Sequence, residues 1–121
     1  MDEQGKPLFR IAVASLFVLL SACAGETNVV LANRSASLLR SVSVEFTGGA
    51  TRAQDIEAGR EAFVTLNPTG ESSLTVLYQS PDGPQKCWID TYLEPGYRAE
   101  FRIELLESSC RTTRKQIESY P

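Results

Sequence analysis

From Asn28 onward, apolar residues recur at every second position in short runs separated by turn formers, the period of a half-buried strand. Asn28 to Ala32 is a short apolar run closed by Asn33, Arg34 and Ser35. Between Arg40 and Phe46, Val42, Val44 and Phe46 alternate with Ser41, Ser43 and Glu45 until Gly48-Gly49 interrupts. Ala53 to Ile56 leads into Glu57-Ala58-Gly59-Arg60, a turn with glycine where a positive φ is tolerated. Ala62, Val64 and Leu66 alternate up to Asn67-Pro68-Thr69-Gly70. Leu74, Val76 and Tyr78, with Thr75, Leu77 and Gln79 between them, read as an apolar strand covered on both sides. Ser80-Pro81-Asp82-Gly83-Pro84 is a turn, since the prolines lack a ladder donor and glycine supplies the reversal. Lys86 to Leu93 follows, then Glu94-Pro95-Gly96. The clearest alternation closes the series: Tyr97, Ala99, Phe101, Ile103 and Leu105 on one side, Arg98, Glu100, Arg102 and Glu104 on the other.

About seven short strands at this spacing predict an all-β fold, a small antiparallel β-sandwich following an N-terminal signal helix. Trp88 sits directly beside Cys87 rather than between separated cysteines, so the immunoglobulin pattern does not apply.

The first residues follow a different pattern. Lys6 and Arg10 form a basic flank, offset by Asp2 and Glu3, and Ile11 to Leu20 is an apolar run broken only by Ser15. A spanning helix wants about 20 apolar residues, and the uncharged stretch here ends at Gly25, so an export signal fits better than an anchor. Leu20-Ser21-Ala22-Cys23 resembles the lipobox of bacterial lipoproteins: an apolar residue, two small residues, then the cysteine that is acylated. The resemblance covers residues 1–23. It implies removal of residues 1–22, a diacylglyceryl group on the Cys23 sulfur and a third acyl chain on its amine. Two or more chains anchor stably where one binds only marginally. Ala24 stands where an aspartate would signal inner-membrane retention, so the resemblance favours the outer membrane, with the domain facing the periplasm. Only residues 24–27 lie between Cys23 and the first strand, a reach of roughly 10–15 Å. The expected division is a signal peptide at 1–22, lipidated cysteine and tether at 23–27, sandwich at 28–107 and a tail at 108–121.

With Cys23 assigned to lipid, Cys87 and Cys110 remain, and an oxidising compartment pairs them. A bridge across that interval contributes about 3 kcal/mol. If Glu94 to Tyr97 turned a hairpin, the residue opposite Cys87 would fall near Glu104. Cys110 is therefore expected on a tail doubling back to the start of the 86–93 strand, stapling that tail rather than cross-linking two core faces.

Charge and chemistry narrow the function classes. The net charge is −3, and residues 1–22 hold two charges of each sign, so the rest keeps −3. No basic face indicates nucleic acid. The chain has no histidine, which excludes Ser-His and Cys-His pairs and histidine bases. Two cysteines without histidine make no structural zinc site, the spaced carboxylates of a calcium loop are missing around Asp82, and no cofactor motif appears. Carboxylates such as Glu100 and Glu104 read as solvent-facing charges rather than a glycosidase pair.

Three features carry recognition chemistry. Trp88, Asp90 and Tyr92 share one face of their strand and could stack on and hydrogen-bond a sugar ring or extended peptide. Cys87, Ile89, Thr91 and Leu93 form an equally apolar opposite face, so parity alone does not choose, and the burial habits of tryptophan place Trp88 in the core. Arg111, Arg114 and Lys115 form a basic cluster that would meet lipid phosphates if the tail returned to the membrane side. Any open sheet edge can accept a strand. The reading is a lipid-anchored, non-enzymatic structural or protein-interaction module, its partners being membrane lipid through Cys23 and envelope proteins. The alternative is a module binding cell-wall glycan through Trp88, Asp90 and Tyr92.

Overall fold

A computed structural model describes residues 26–94 and 96–118; the export signal and Cys23 lie outside the described residues. The described chain is all-β, with nine strands in two sheets. β1 (Thr27–Asn33), β5 (Glu61–Leu66), β8 (Arg98–Leu105) and β9 (Cys110–Glu118) form one sheet in the order β5-β1-β8-β9. β2 (Leu39–Phe46), β3 (Gly49–Ala50), β6 (Ser72–Ser80) and β7 (Gly83–Leu93) form the second in the order β3-β2-β6-β7, with β4 (Gln54–Ile56) also pairing β2. All pairings are antiparallel except β1 with β8. That parallel pair follows from connectivity: the chain leaves β1, builds the second sheet and returns, which is the crossover that parallel neighbours require.

Alternation places the core. β8 turns Ala99, Phe101, Ile103 and Leu105 inward, and β1 adds Val29 and Leu31. Opposite them lie Leu39, Val42 and Val44 of β2, Leu74, Val76 and Tyr78 of β6, and Ile89 and Leu93 of β7. Leu39 and Val42 both face inward although three positions apart. Ser41 between them adopts φ 51°, and the register shifts there, which is a bulge that resets the parity. The Ser41 amide donates to Asp55 Oδ1 at 3.0 Å. The β6–β7 hairpin turns through Pro81 and Asp82, with Gly83 at φ 105°. β6 was expected to be covered on both sides; its outward Thr75 and Leu77 are only half-buried, because no third layer lies over that face.

Two expectations about the C-terminal third are corrected. Residues 110–118 are not a tail but a full strand, β9, paired along β8 from Leu105↔Cys110 to Arg98↔Glu118. The Glu94–Tyr97 turn does not close a hairpin either: β7 and β8 belong to different sheets, and the turn carries the chain across the sandwich. Cys87 and Cys110 do lie at disulfide distance, with Cα atoms 6.1 Å apart. β7 and β9 are the edges of opposite sheets, so the bridge cross-links the two sheets instead of stapling a tail.

The ends of the sandwich differ. At the end where β1 begins, Glu26 O accepts the Ala99 amide at 3.1 Å, and the 67–70 and 94–97 connections gather around it. The opposite end is the more heavily tied. Buried Asn33 donates through Nδ2 to Ile56 O and Ser37 O, each at 2.8 Å, while its Oδ1 accepts from the amide and hydroxyl of Ser35. Tyr78 donates its hydroxyl between Leu106 O at 2.8 Å and Ser109 O at 3.0 Å, fastening β6 to the β8–β9 connection.

Candidate functional site

β7 runs along one margin of the second sheet and presents its two phases to different surroundings. Cys87, Ile89, Thr91 and Leu93 point into the core. Trp88, Asp90 and Tyr92 therefore point outward, and the expected core placement of Trp88 is corrected: Trp88 is 62% exposed and Tyr92 54%. The cause is Cys87. Its sulfur must face the other sheet to meet Cys110, which commits its neighbour to the outer face.

The aromatic strip has a defined setting. Trp88 lies opposite Thr75 of β6, which in turn lies opposite Glu45 of β2. Lys86 and Leu77 form the adjoining row. Beyond Ile89 the register shifts, so that Asp90, Thr91 and Tyr92 together oppose Ser73. This bulge interrupts the ladder under Asp90 and Tyr92, while the alternation of buried and exposed positions runs on from Cys87 to Leu93. Tyr92 donates its hydroxyl to Glu94 Oε1 at 2.9 Å. The carboxylate of Glu71, together with that of Glu94, pushes the Tyr92 phenol far above its ordinary range, and Glu94 raises Tyr97 likewise. Both phenols are neutral at physiological pH, as an ordinary tyrosine is, and the neighbouring carboxylates move their ionisation further away.

The basic residues of β9 do not converge. Arg111 donates through Nε to Glu104 Oε1 at 2.7 Å, and Arg114 lies 3.7 Å from Glu100. Lys115 turns the other way and donates to Asp90 O at 2.9 Å, bridging the two sheets beside the disulfide. Arg111 lies with Glu104 toward the end of β1, while Arg114 and Lys115 lie opposite Arg102 and Phe101, nearer its start.

The outer face of the first sheet is a lattice of ion pairs. Glu104 is held below the ordinary carboxylate range by Arg111 and then Arg34, and Glu61 by Arg102. Glu100 and Glu118 border a shallow depression with Arg98 and Arg114. A general acid needs a carboxyl kept protonated by apolar surroundings, whereas this depression is lined mainly by charged and amide groups. Among the described residues, no group of three or more Cys, Asp or Glu is placed to hold a metal ion, and no helix is long and apolar enough to cross a membrane.

One exposed residue escaped the sequence reading. Phe63 of β5 is 73% exposed on the outer face, between the inward positions Ala62 and Val64. Its signal was present as a large aromatic in the polar phase of an alternating strand. The chain matches no family model, no curated protein and no solved structure.

Proposed function

We propose that this protein is a lipid-anchored bacterial envelope module without catalytic activity, acylated on Cys23 with palmitate-type chains and held at the outer membrane facing the periplasm. Its work is recognition. The observation that carries this reading is the exposure of Trp88 and Tyr92 on an outer sheet face, where large aromatics lose the stabilisation that burial would give. Rigid aromatics in such a position are anchors for a partner.

The polar character of the same face favours cell-wall glycan over an apolar protein surface as the ligand of this strip. Thr75 lies opposite Trp88 with Glu45 beyond it, and Asp90 falls between the two aromatics along β7, so stacking surfaces alternate with hydroxyl and carboxylate partners. Sugar rings use that combination: apolar faces for stacking and rims of hydroxyls. Sedimentation of the purified protein with isolated cell-wall sacculi tests the ligand. Trp88→Ala and Tyr92→Ala should each reduce the bound fraction about tenfold or more, as loss of a hot-spot aromatic does. Co-sedimentation indifferent to both substitutions would reject glycan as the ligand. Palmitate labelling of the protein and of its Cys23→Ser variant tests the anchor; label retained by the variant would reject it.

A further inference from the structure

The aromatic strip on β7 is unevenly charged along its length. Lys86 precedes Trp88 on the outer face, and Lys115 donates to the backbone oxygen of Asp90, so positive charge lies beside the first part of the strip. The Tyr92 end is different. Glu71, just before β6, and Glu94, just after β7, follow on from the paired Ser72 and Leu93, which sets two carboxylates across from each other beside Tyr92. Like charges so placed repel. Among the described residues the arginine–glutamate pairs engage Glu61, Glu100 and Glu104 of the first sheet, and none takes up Glu71 or Glu94. The Tyr92 hydroxyl has one proton to give, and Glu94 Oε1 accepts it at 2.9 Å. Glu71 also lies close enough to raise the Tyr92 phenol. A single proton cannot serve both carboxylates at once.

We propose that the strip selects glycans whose hexosamine carries a free ammonium in place of an N-acetyl group, the sugar faces stacking at Trp88 and Tyr92 and the ammonium being received by Glu71 and Glu94. This specificity rests on the glycan reading of the same strip. An ammonium brings three N–H donors, enough for both carboxylates together. Hydrogen bonds between ionised partners are roughly twice as strong as neutral ones. The exposed faces of Trp88 and Tyr92 attract a cation as well as a sugar face.

Other substituents fit the Tyr92 end less well. An N-acetyl group offers one N–H and brings a carbonyl oxygen, which meets acceptors at Glu71 and Glu94 rather than donors. A sugar bearing a carboxylate is repelled there. The competing cation is the lysine side chain of a peptide. Its ammonium suits the two carboxylates equally, but its flexible aliphatic stem presents no ring-shaped face to Trp88.

The test titrates full-length protein in detergent micelles with a glucosamine hexasaccharide and, separately, with its N-acetylated counterpart. The pH is set so that the amines are protonated and the carboxylates ionised. Trp88 is the only tryptophan in the chain, so its emission reports occupancy of the strip. The free-amine sugar should bind about tenfold more tightly, and added salt should narrow the difference. Glu71→Gln and Glu94→Gln should each shrink that preference severalfold at an unchanged urea midpoint, which shows that the variants are folded. Glu57→Gln removes the same charge from the remote turn before β5 and should keep the preference. Trp88→Ala, followed by calorimetry, should weaken both ligands. Equal affinity for the two sugars, or a preference indifferent to both strip variants, would overturn the amine selection and leave the glycan reading standing. A lysine hexapeptide bound as tightly as the free-amine sugar would show selection by charge alone and overturn it as well. Binding of neither sugar would overturn this proposal and the glycan reading together.

Discussion

Thr91 points into the core from β7, and its buried hydroxyl has no hydrogen-bond partner among the described residues. Burying such a group without a partner costs roughly 1–3 kcal/mol. Thr91→Val keeps the shape and β-branching and removes the hydroxyl, so it should stabilise the domain by about 1 kcal/mol. The check is a higher urea midpoint at unchanged slope. Asn33 shows the opposite arrangement: both amide ends are filled, so the buried group is compensated. Glu104 gives a pH signature. Arg111 first, with Arg34, lowers its folded pKa below that of an ordinary glutamate, so the unfolded state takes up the proton more readily. The ion pairs' contribution is then fully present above the ordinary carboxylate range and is lost as pH falls through the lowered value. Urea midpoints of the parent and Glu104→Gln should differ at neutral pH and converge in acid. A gap that stays constant with pH would show that Glu104 acts through packing instead.

At the scale of elements, Ser41 governs β2. Holding a non-glycine residue at φ 51° costs about 1–2 kcal/mol, against which glycine loses about 0.5–1 kcal/mol of unfolded-chain entropy. Ser41→Gly should therefore raise stability by roughly 0.5–1 kcal/mol, read from thermal or urea unfolding. The residue also shows how much of the fold was legible. Period two located β2, β5, β6 and β8, because each packs one clean phase into the core. It gave no hint of the bulge, since Val42, Val44 and Phe46 alternate correctly once past it. β9 was illegible for a different reason. It is the edge strand of its sheet, where only Cys110 and Ile117 are half-buried, so its residues have no apolar phase to display. The Glu94–Tyr97 turn misled because local turn chemistry encodes a reversal of direction and not the sheet to which the next strand belongs. The aromatic strip was legible as a set of residues, but its exposure was not: both phases of β7 are apolar. The tie between Cys87 and Cys110 fixes the choice, and that tie was itself read as local when it is a link between sheets.

The described strands form a sandwich whose sheets are tied along one margin. Along the β7–β9 margin the Cys87–Cys110 bridge and the Lys115 bond to Asp90 O join the sheets. Along the β5 margin, the described joining contacts are the Asn33 bonds at one end, notably Nδ2 to Ile56 O. The remote end concentrates further ties: Arg34 N to Leu105 O, Tyr78 to the β8–β9 connection, and Ala36 N to Glu107 Oε1. Removing the bridge therefore tests a link between sheets, with a consequence that a stapled tail would not have. β9 contributes little buried apolar surface of its own, so a tail attachment would loosen β9 and leave the rest intact. A sheet-to-sheet tie instead constrains the unfolded chain and holds β7 as well. Cys87→Ser with Cys110→Ser should cost about 3 kcal/mol of global stability. Amide exchange should accelerate together in β7 and β9, with the strongly tied remote end of β1 and β8 protected longest. Acceleration confined to residues 110–118 with an unchanged urea midpoint would reduce the bridge to a local clasp, and the exposed strip on β7 would then owe its orientation to the core packing of Ile89 and Leu93 alone.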